Sequence, residues 1–328
     1  MFLKPSEKSK TTRRNPKQKV LHRLNIQTLQ HLSHHLKCSV DELEKYAATP
    51  LDYFNAGNFT DKKGKKRPKM EPKDRLKTIL RNLSDLLQRL DLPDAVHGGR
   101  TGRSNLTNAA PHRRKDVVLT FDIEKYFPHI TPQHVFDIFH HRCGCSPEVS
   151  TLLMRLTTPN NQLAQGSPPS TIIAALVSEP LLKRIQNLIR FHGGVVTIYV
   201  DDISISGPKK LVDLKPKIIE IMQQLHFNAH PDKNLIMWKQ EEQTVTGVAV
   251  NNQLELPKER MADIRKRTHE LEKLAGENAL IPPEKLGELA GQIGYLARLN
   301  LGAGKHYRKR LRKLETYQSR TQNFVRSG

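Results

Sequence analysis

The chain has 328 residues, enough for a sizeable core and two or three subdomains, which excludes a peptide or an isolated binding module. Its 54 Lys plus Arg stand against 33 Asp plus Glu, a formal net charge of +21 that goes far beyond what solubility needs, so a polyanion, nucleic acid first, is the expected partner. Only Cys38, Cys143 and Cys145 are present, which argues against a disulfide framework, and the longest apolar run (172–177) falls far short of the about 20 residues a bilayer span requires. Met1-Phe2-Leu3-Lys4-Pro5 lacks the apolar core of a signal peptide, so a cytoplasmic protein with no membrane partner is expected.

Residues 1–19 form a basic, polar arm with Glu7 as its single acid. A helical pattern runs over 20–36, and Ser39-Val40-Asp41-Glu42 predicts a capping box for a second helix. Residues 61–69 read as a basic hairpin or loop turning at Gly64, either a solvated turn or a cationic flap over phosphates. Helix returns over 74–90 and stops at Pro93; the Gly-rich basic loop 97–104 would let backbone amides and Arg103 approach a phosphate. The sheet region is expected over 116–250, with a helix starting at Thr131-Pro132 and a Gly/Pro turn over 163–170. His140-His141-Arg142-Cys143-Gly144-Cys145 carries zinc-type donors without a second pair at finger-like spacing. After Pro257, apolar spacing gives two amphipathic helices, and the tail from Lys305 to Arg326 is basic.

Two carboxylate motifs carry the chemistry. In 195–206, two β-prone runs bring Asp201 and Asp202 to the tip of a tight turn, where adjacent negative charges repel unless a cation neutralises them. In isolation such a pair is usually a solvated loop. The β-rich flanks and the apolar run 117–121, which ends in Asp122, favour a metal site instead. If the two strands are sheet neighbours, the three aspartates can hold two Mg²⁺ ions roughly 3.5–4 Å apart, as in polymerases and nucleases.

Together these motifs resemble reverse transcriptases, more narrowly the retron reverse transcriptases of bacteria, over about residues 20–315. Tyr199-Val200-Asp201-Asp202 matches the Tyr-x-Asp-Asp box, Phe121-Asp122-Ile123-Glu124-Lys125-Tyr126-Phe127 the first catalytic motif, Gln165-Gly166-Ser167-Pro168 the nucleotide-binding turn, and Lys233 the downstream lysine. Asn108-Ala109-Ala110-Pro111-His112 and Val245-Thr246-Gly247 fit the two elements that mark retron enzymes. Val200 replaces the usual Ala, Ala164 the Pro before Gln165, and His226 a common Gly, while the stretch after Pro169 diverges from the usual Pro-Thr-Ser-Pro. None of these removes a carboxylate or the Gln-Gly pair.

The resemblance implies an α+β fold of right-hand polymerase architecture: fingers with N-terminal helices (20–115), a palm of antiparallel sheet with helices (116–256), and a helical thumb with a basic tail (257–328). It implies Asp122, Asp201, Asp202 and the Ile123 carbonyl as metal ligands and Lys233 as a proton donor to pyrophosphate. Lys66, Arg67, Gln165, Gly166 and Tyr199 would contact the incoming nucleotide or primer end, with Phe127 against the sugar 2′ position. Arg103, Asn108, His112, Val245, Thr246 and Gly247 would engage RNA, a reading favoured over the alternative that Asn108 and His112 merely cap and brace the palm. The implied activity is RNA-directed DNA synthesis on a cognate noncoding RNA. Its primer would be a guanosine 2′-hydroxyl, its substrates dNTPs and its product a branched RNA–DNA serving anti-phage defence with a separate effector protein. The roughly 70 residues after Pro257 are short for a nuclease domain, so host RNase H would remove the RNA. A group II intron-like or diversity-generating reverse transcriptase, or a non-catalytic RNA-binding scaffold, are the alternatives.

Overall fold

The computed structural model describes residues 20–60, 64 and 66–327; the basic arm 1–19 and part of the basic loop (61–63 and 65) lie outside them. The helix expected from residue 20 starts later, as α1 (Leu29–Leu36) capped by Thr28. The segment before it is extended because its amides serve tertiary partners: Leu21 N–H donates to the Arg89 carbonyl, and Leu24 and Asn25 N–H to the Cys143 carbonyl. The capping box at Ser39 is present and opens α2 (Val40–Ala48), with Glu42 reaching back to the Ser39 amide.

β1 (Phe54–Thr60) and β2 (Lys66–Pro72) form an antiparallel hairpin whose loop is the basic one. α3 (Asp74–Leu87) then buries Leu76, Ile79, Leu80, Leu83 and Leu87 at helical spacing. Each such side chain contributes about 1.5–3 kcal/mol, more than helix propensity supplies. α4 (Asn105–Ala109) leads through a short 3₁₀ turn into β3 (Val117–Asp122). There follow α5 (Tyr126–His129), α6 (Pro132–Asp137) with Thr131 as cap, α7 (Pro147–Thr157), α8 (Ser170–Val177) and α9 (Glu179–Ile189).

β4 (Val195–Tyr199) and β5 (Asp202–Gly207) make the second hairpin, followed by α10 (Lys215–Gln224), β6 (Ile236–Trp238), β7 (Thr244–Val245) and β8 (Val248–Ala249). The central sheet has the order β4-β5-β3-β6 with every neighbour antiparallel. One core runs from Ile26 to Phe227, so the N-terminal helices and the sheet share their apolar interior.

The C-terminal part holds three helices, not the two the spacing predicts: α11 (Lys258–Gly276), α12 (Pro283–Leu299) and α13 (Leu301–Ser327). The basic tail is α13, because Tyr307, Leu311 and Leu314 make an apolar stripe that completes a separate core with Ile264, Leu271, Leu289 and Ile293. Among the described residues no helix is long and apolar enough to cross a membrane.

Candidate active site

The sheet register brings the two carboxylate motifs together. Asp122, the last residue of β3, is the direct partner of Asp202, the first of β5. Directly opposed residues share a face, with Cβ atoms about 5 Å apart. Asp201 lies in the two-residue turn between Tyr199 and Asp202, and its carbonyl accepts the Ile123 N–H at 3.0 Å. A third segment closes the site: His230 N–H donates to the Asp122 carbonyl at 2.8 Å, and Lys233 Nζ lies 2.7 Å from Asp122 Oδ2. The Asp122 side chain is only 16% exposed, and Lys233 is the cation beside it.

These donors are hard carboxylate oxygens of the kind that suits a divalent oxygen-seeking cation, and the Lys233 ammonium already stands where positive charge is favoured. Among the described residues no three His, Cys, Asp or Glu side chains converge on a ready site. The residues therefore fit a metal through cross-strand carboxylates rather than through a closed cage.

The turn itself is strained and tightly held. Val200 adopts φ +61°, an unfavourable conformation for a β-branched residue. Ile198 N–H donates to the Ala95 carbonyl at 2.8 Å and the Ile198 carbonyl accepts from His97 N–H at 2.9 Å, so the segment before the Gly-rich loop lines the free edge of β4. A Cβ on Gly98 would stand 2.2 Å from Val200 N. The loop expected to meet a phosphate thus uses Gly98 to reach the Val200-Asp201 turn, while Arg103 donates to Asp94 Oδ1 at 2.6 Å. Sequence reasoning missed the contact, since nothing local to 97–104 names its distant partner.

The structure corrects the RNA-facing assignment of Asn108, His112 and Val245: all three are fully buried and offer no surface to an RNA. His112 instead bridges β4 and β5, with Nδ1 2.7 Å from Ser206 Oγ and Nε2 2.8 Å from Thr197 Oγ1. Burial pushes its imidazole down to about 3, so it is neutral and one of its nitrogens accepts. The buried hydroxyls of Thr197, Ser204 and Ser206 on otherwise apolar strands were the available signal for such a brace. Thr246 and Gly247 are half-buried, and Thr246 Oγ1 accepts from Asn108 Nδ2 at 3.4 Å, so the two retron-type elements meet each other.

Met70 N–H donates to the Gln165 carbonyl at 2.7 Å, which lays β2 on the Gln165-Gly166 turn. Lys66 and Arg67 begin β2, opposite Thr60 and Phe59. Phe127 is half-buried with its ring edge-on to Tyr126, whose hydroxyl donates to the Ala174 carbonyl at 2.6 Å. Tyr199 is half-buried opposite Asp202. The zinc-type residues part company: Cys143 and Cys145 are buried in the core, where burial pushes the Cys143 thiol up to about 12, while His141 is exposed.

Residues 59–250 match the sequence profile of the family described as reverse transcriptase (RNA-dependent DNA polymerase). The chain belongs to the reverse transcriptase family. The family and the antiparallel sheet flanked by helices make it an α+β reverse transcriptase of right-hand polymerase architecture. It is 34% identical to the retron Se72 reverse transcriptase of Salmonella heidelberg over 50% of this chain and 44% of that one. It is 28% identical to the retron Mx162 reverse transcriptase of Myxococcus xanthus over 78% of this chain and 60% of that one. It is 29% identical to the retron Ec86 reverse transcriptase of Escherichia coli over 59% and 60%. The chain therefore spans 44–60% of the length of these relatives, and its likeness is to the retron type. Among solved structures it is similar to telomerase from Candida albicans, with 9% identity and a TM-score of 0.45 over 84% of this chain and 61% of that one.

Proposed function

We propose that this reverse transcriptase is the RNA-directed DNA polymerase of a retron, copying part of a cognate structured noncoding RNA. The observation that carries the reading is the register of Asp122 against Asp202 beside the Asp201 turn, which is the carboxylate arrangement nucleotidyl transfer needs. Asp122, Asp201, Asp202 and the Ile123 carbonyl would hold two Mg²⁺ ions, which supply charge neutralisation at the reacting phosphate and a more acidic primer hydroxyl.

The chain's own residues do the rest. Lys233, held on Asp122, has its ammonium beside the carboxylates, where it can give a proton to departing pyrophosphate. Phe127 excludes a 2′-hydroxyl from the incoming sugar, and Gln165, Gly166 and Tyr199 orient the dNTP and primer end. Lys66 and Arg67 on the β2 hairpin neutralise its phosphates.

Residues 20–115, 116–256 and 257–328 act as fingers, palm and thumb, the basic thumb gripping the duplex through its phosphates, with Arg103, Thr246 and Gly247 bordering the RNA path. Synthesis starts from a guanosine 2′-hydroxyl of the RNA, host RNase H trims the template, and the branched RNA–DNA works in the cytoplasm with a separate effector against phage. The test is extension of a primed RNA template by the purified protein with dNTPs and Mg²⁺, followed by sequencing of the nucleic acid that co-purifies with it. No dNTP incorporation by protein that still binds RNA would overturn the polymerase reading, and co-purified nucleic acid without a branched DNA would overturn the retron product.

A further inference from the structure

The three helices after Pro257 pack around their own core, so their tilt relative to the sheet is set at the joint between the two. Part of that joint is apolar, Leu299 of α12 packing, like Leu106 and Leu254, against the buried cluster of Ala109, Val118, Val245 and Val248, and such contacts hold surfaces together without fixing an angle. A directional link sits beside it. Asn105 Nδ2 donates to Tyr295 Oη of α12 at 2.6 Å and lies 3.4 Å from the Thr246 carbonyl, while the Thr246 hydroxyl donates to the Asn105 carbonyl at 3.3 Å. All of these contacts are partly buried, where a hydrogen bond competes less with water.

The acceptor side of the link is stiff. Thr246 and Gly247 form the two-residue turn between β7 and β8 with φ +46° and +73°, the double left-handed geometry of a tight hairpin. Arg260 of α11 covers it, since a Cβ on Gly247 would lie 3.1 Å from the guanidinium. The other side is equally defined. Asn105 is the first residue of α4, which runs through the next short turn to His112, the residue that pins β4 to β5 behind the catalytic turn. Tyr295, Asn105, α4 and His112 thus make an unbroken physical connection from the C-terminal helices to the hairpin that carries Asp201 and Asp202.

We propose that Asn105 and Tyr295 are positioning residues that fix the tilt of the C-terminal helices relative to the sheet and thereby keep the template–product duplex engaged between successive nucleotide additions. Neither touches the reacting atoms; their effect is on processivity, and this rests on the polymerase reading above. Loss of the bond frees the helices to tilt and raises the chance of dissociation per step, without altering the carboxylates.

The experiment is single-encounter extension of a primed RNA by the full chain with a heparin trap. Tyr295→Phe, which keeps the ring and removes the acceptor, should shorten the mean product about 2- to 10-fold, the range expected from one partly buried hydrogen bond. The first nucleotide should still be added within about twofold of the wild-type rate. Asn105→Ala should shorten it at least as much, and the double variant should be no shorter than Asn105→Ala, because Asn105→Ala already removes the bond to Tyr295 along with the contact to the Thr246 carbonyl. Unchanged product length, additive losses in the double variant, or a first-addition rate that falls in step with length would overturn the proposal. If the wild type itself extends no primer, the polymerase reading has failed. The tether is then read by spin-label distances between α12 and α3, narrow in the wild type and broadened by Tyr295→Phe; equal widths would overturn it.

Discussion

Gly98 abuts the backbone of Val200 so closely that any Cβ on it would fall 2.2 Å from the Val200 amide nitrogen. The residue that turns the chain towards Asp201 is therefore seated on a glycine about a hundred positions upstream, and its left-handed φ of +61° is maintained by that seat.

Gly98→Ala should accordingly push the turn away and cut polymerisation at least about 100-fold, the loss a displacement of about 1 Å at a reacting centre produces. RNA affinity, carried by the basic surface, should change little. Primer extension and filter binding on the same preparation check this. A variant with near-normal extension would refute the seating argument.

Asp122→Asn and Asp202→Asn each remove one charge from the cross-strand pair, and each should abolish Mg²⁺-dependent extension while leaving RNA binding intact. Asp122→Asn also releases Lys233, but that pair is half exposed on the lysine side, so the stability cost should stay within about 1 kcal/mol. Urea unfolding of both variants beside extension assays separates the two effects.

Phe127→Ala removes a half-buried ring packed against Tyr126. If that ring excludes the 2′-hydroxyl, the ratio of ribonucleotide to deoxynucleotide incorporation should rise by about 10-fold or more, the discrimination that a few atoms of steric bulk supply. Competitive incorporation of rNTP and dNTP on one template measures it, and an unchanged ratio would assign sugar choice to another group.

His112 is held neutral in the fold, its imidazole pushed by burial to about 3, whereas the unfolded chain takes up a proton near 6.5. The unfolded state binds the extra proton below pH 6.5, so stability is full above that pH and falls as pH drops from 6.5 towards about 3. Each such histidine contributes a slope of up to about 1.4 kcal/mol per pH unit, and His97, pushed to about 4 by burial and by Arg103 and Arg100, adds to it. Urea midpoints at pH 7.0 and 5.5 should separate more for the wild type than for His112→Gln. Equal separations would remove His112 from the pH response.

The sequence alone determined the local pieces: the apolar run ending in Asp122, the β-prone flanks of Asp201-Asp202, the caps at Ser39 and Thr131, and the positive charge that points to nucleic acid. Each is written in neighbouring residues, through side-chain alternation, capping chemistry or net charge, and the family resemblance rests on the same short motifs. Only the tertiary structure decided that Asp122 faces Asp202 and that His112 braces the hairpin through Ser206 and Thr197, 94 and 85 residues away. It also decided that the Asn-Ala-x-x-His and Val-Thr-Gly elements meet through Asn108 and Thr246, and that the basic tail is a packed helix. Those outcomes depend on which surfaces meet when the core closes. A motif shows which residue types are present, but the burial that turns a candidate RNA contact into a neutral brace is a property of the packed chain.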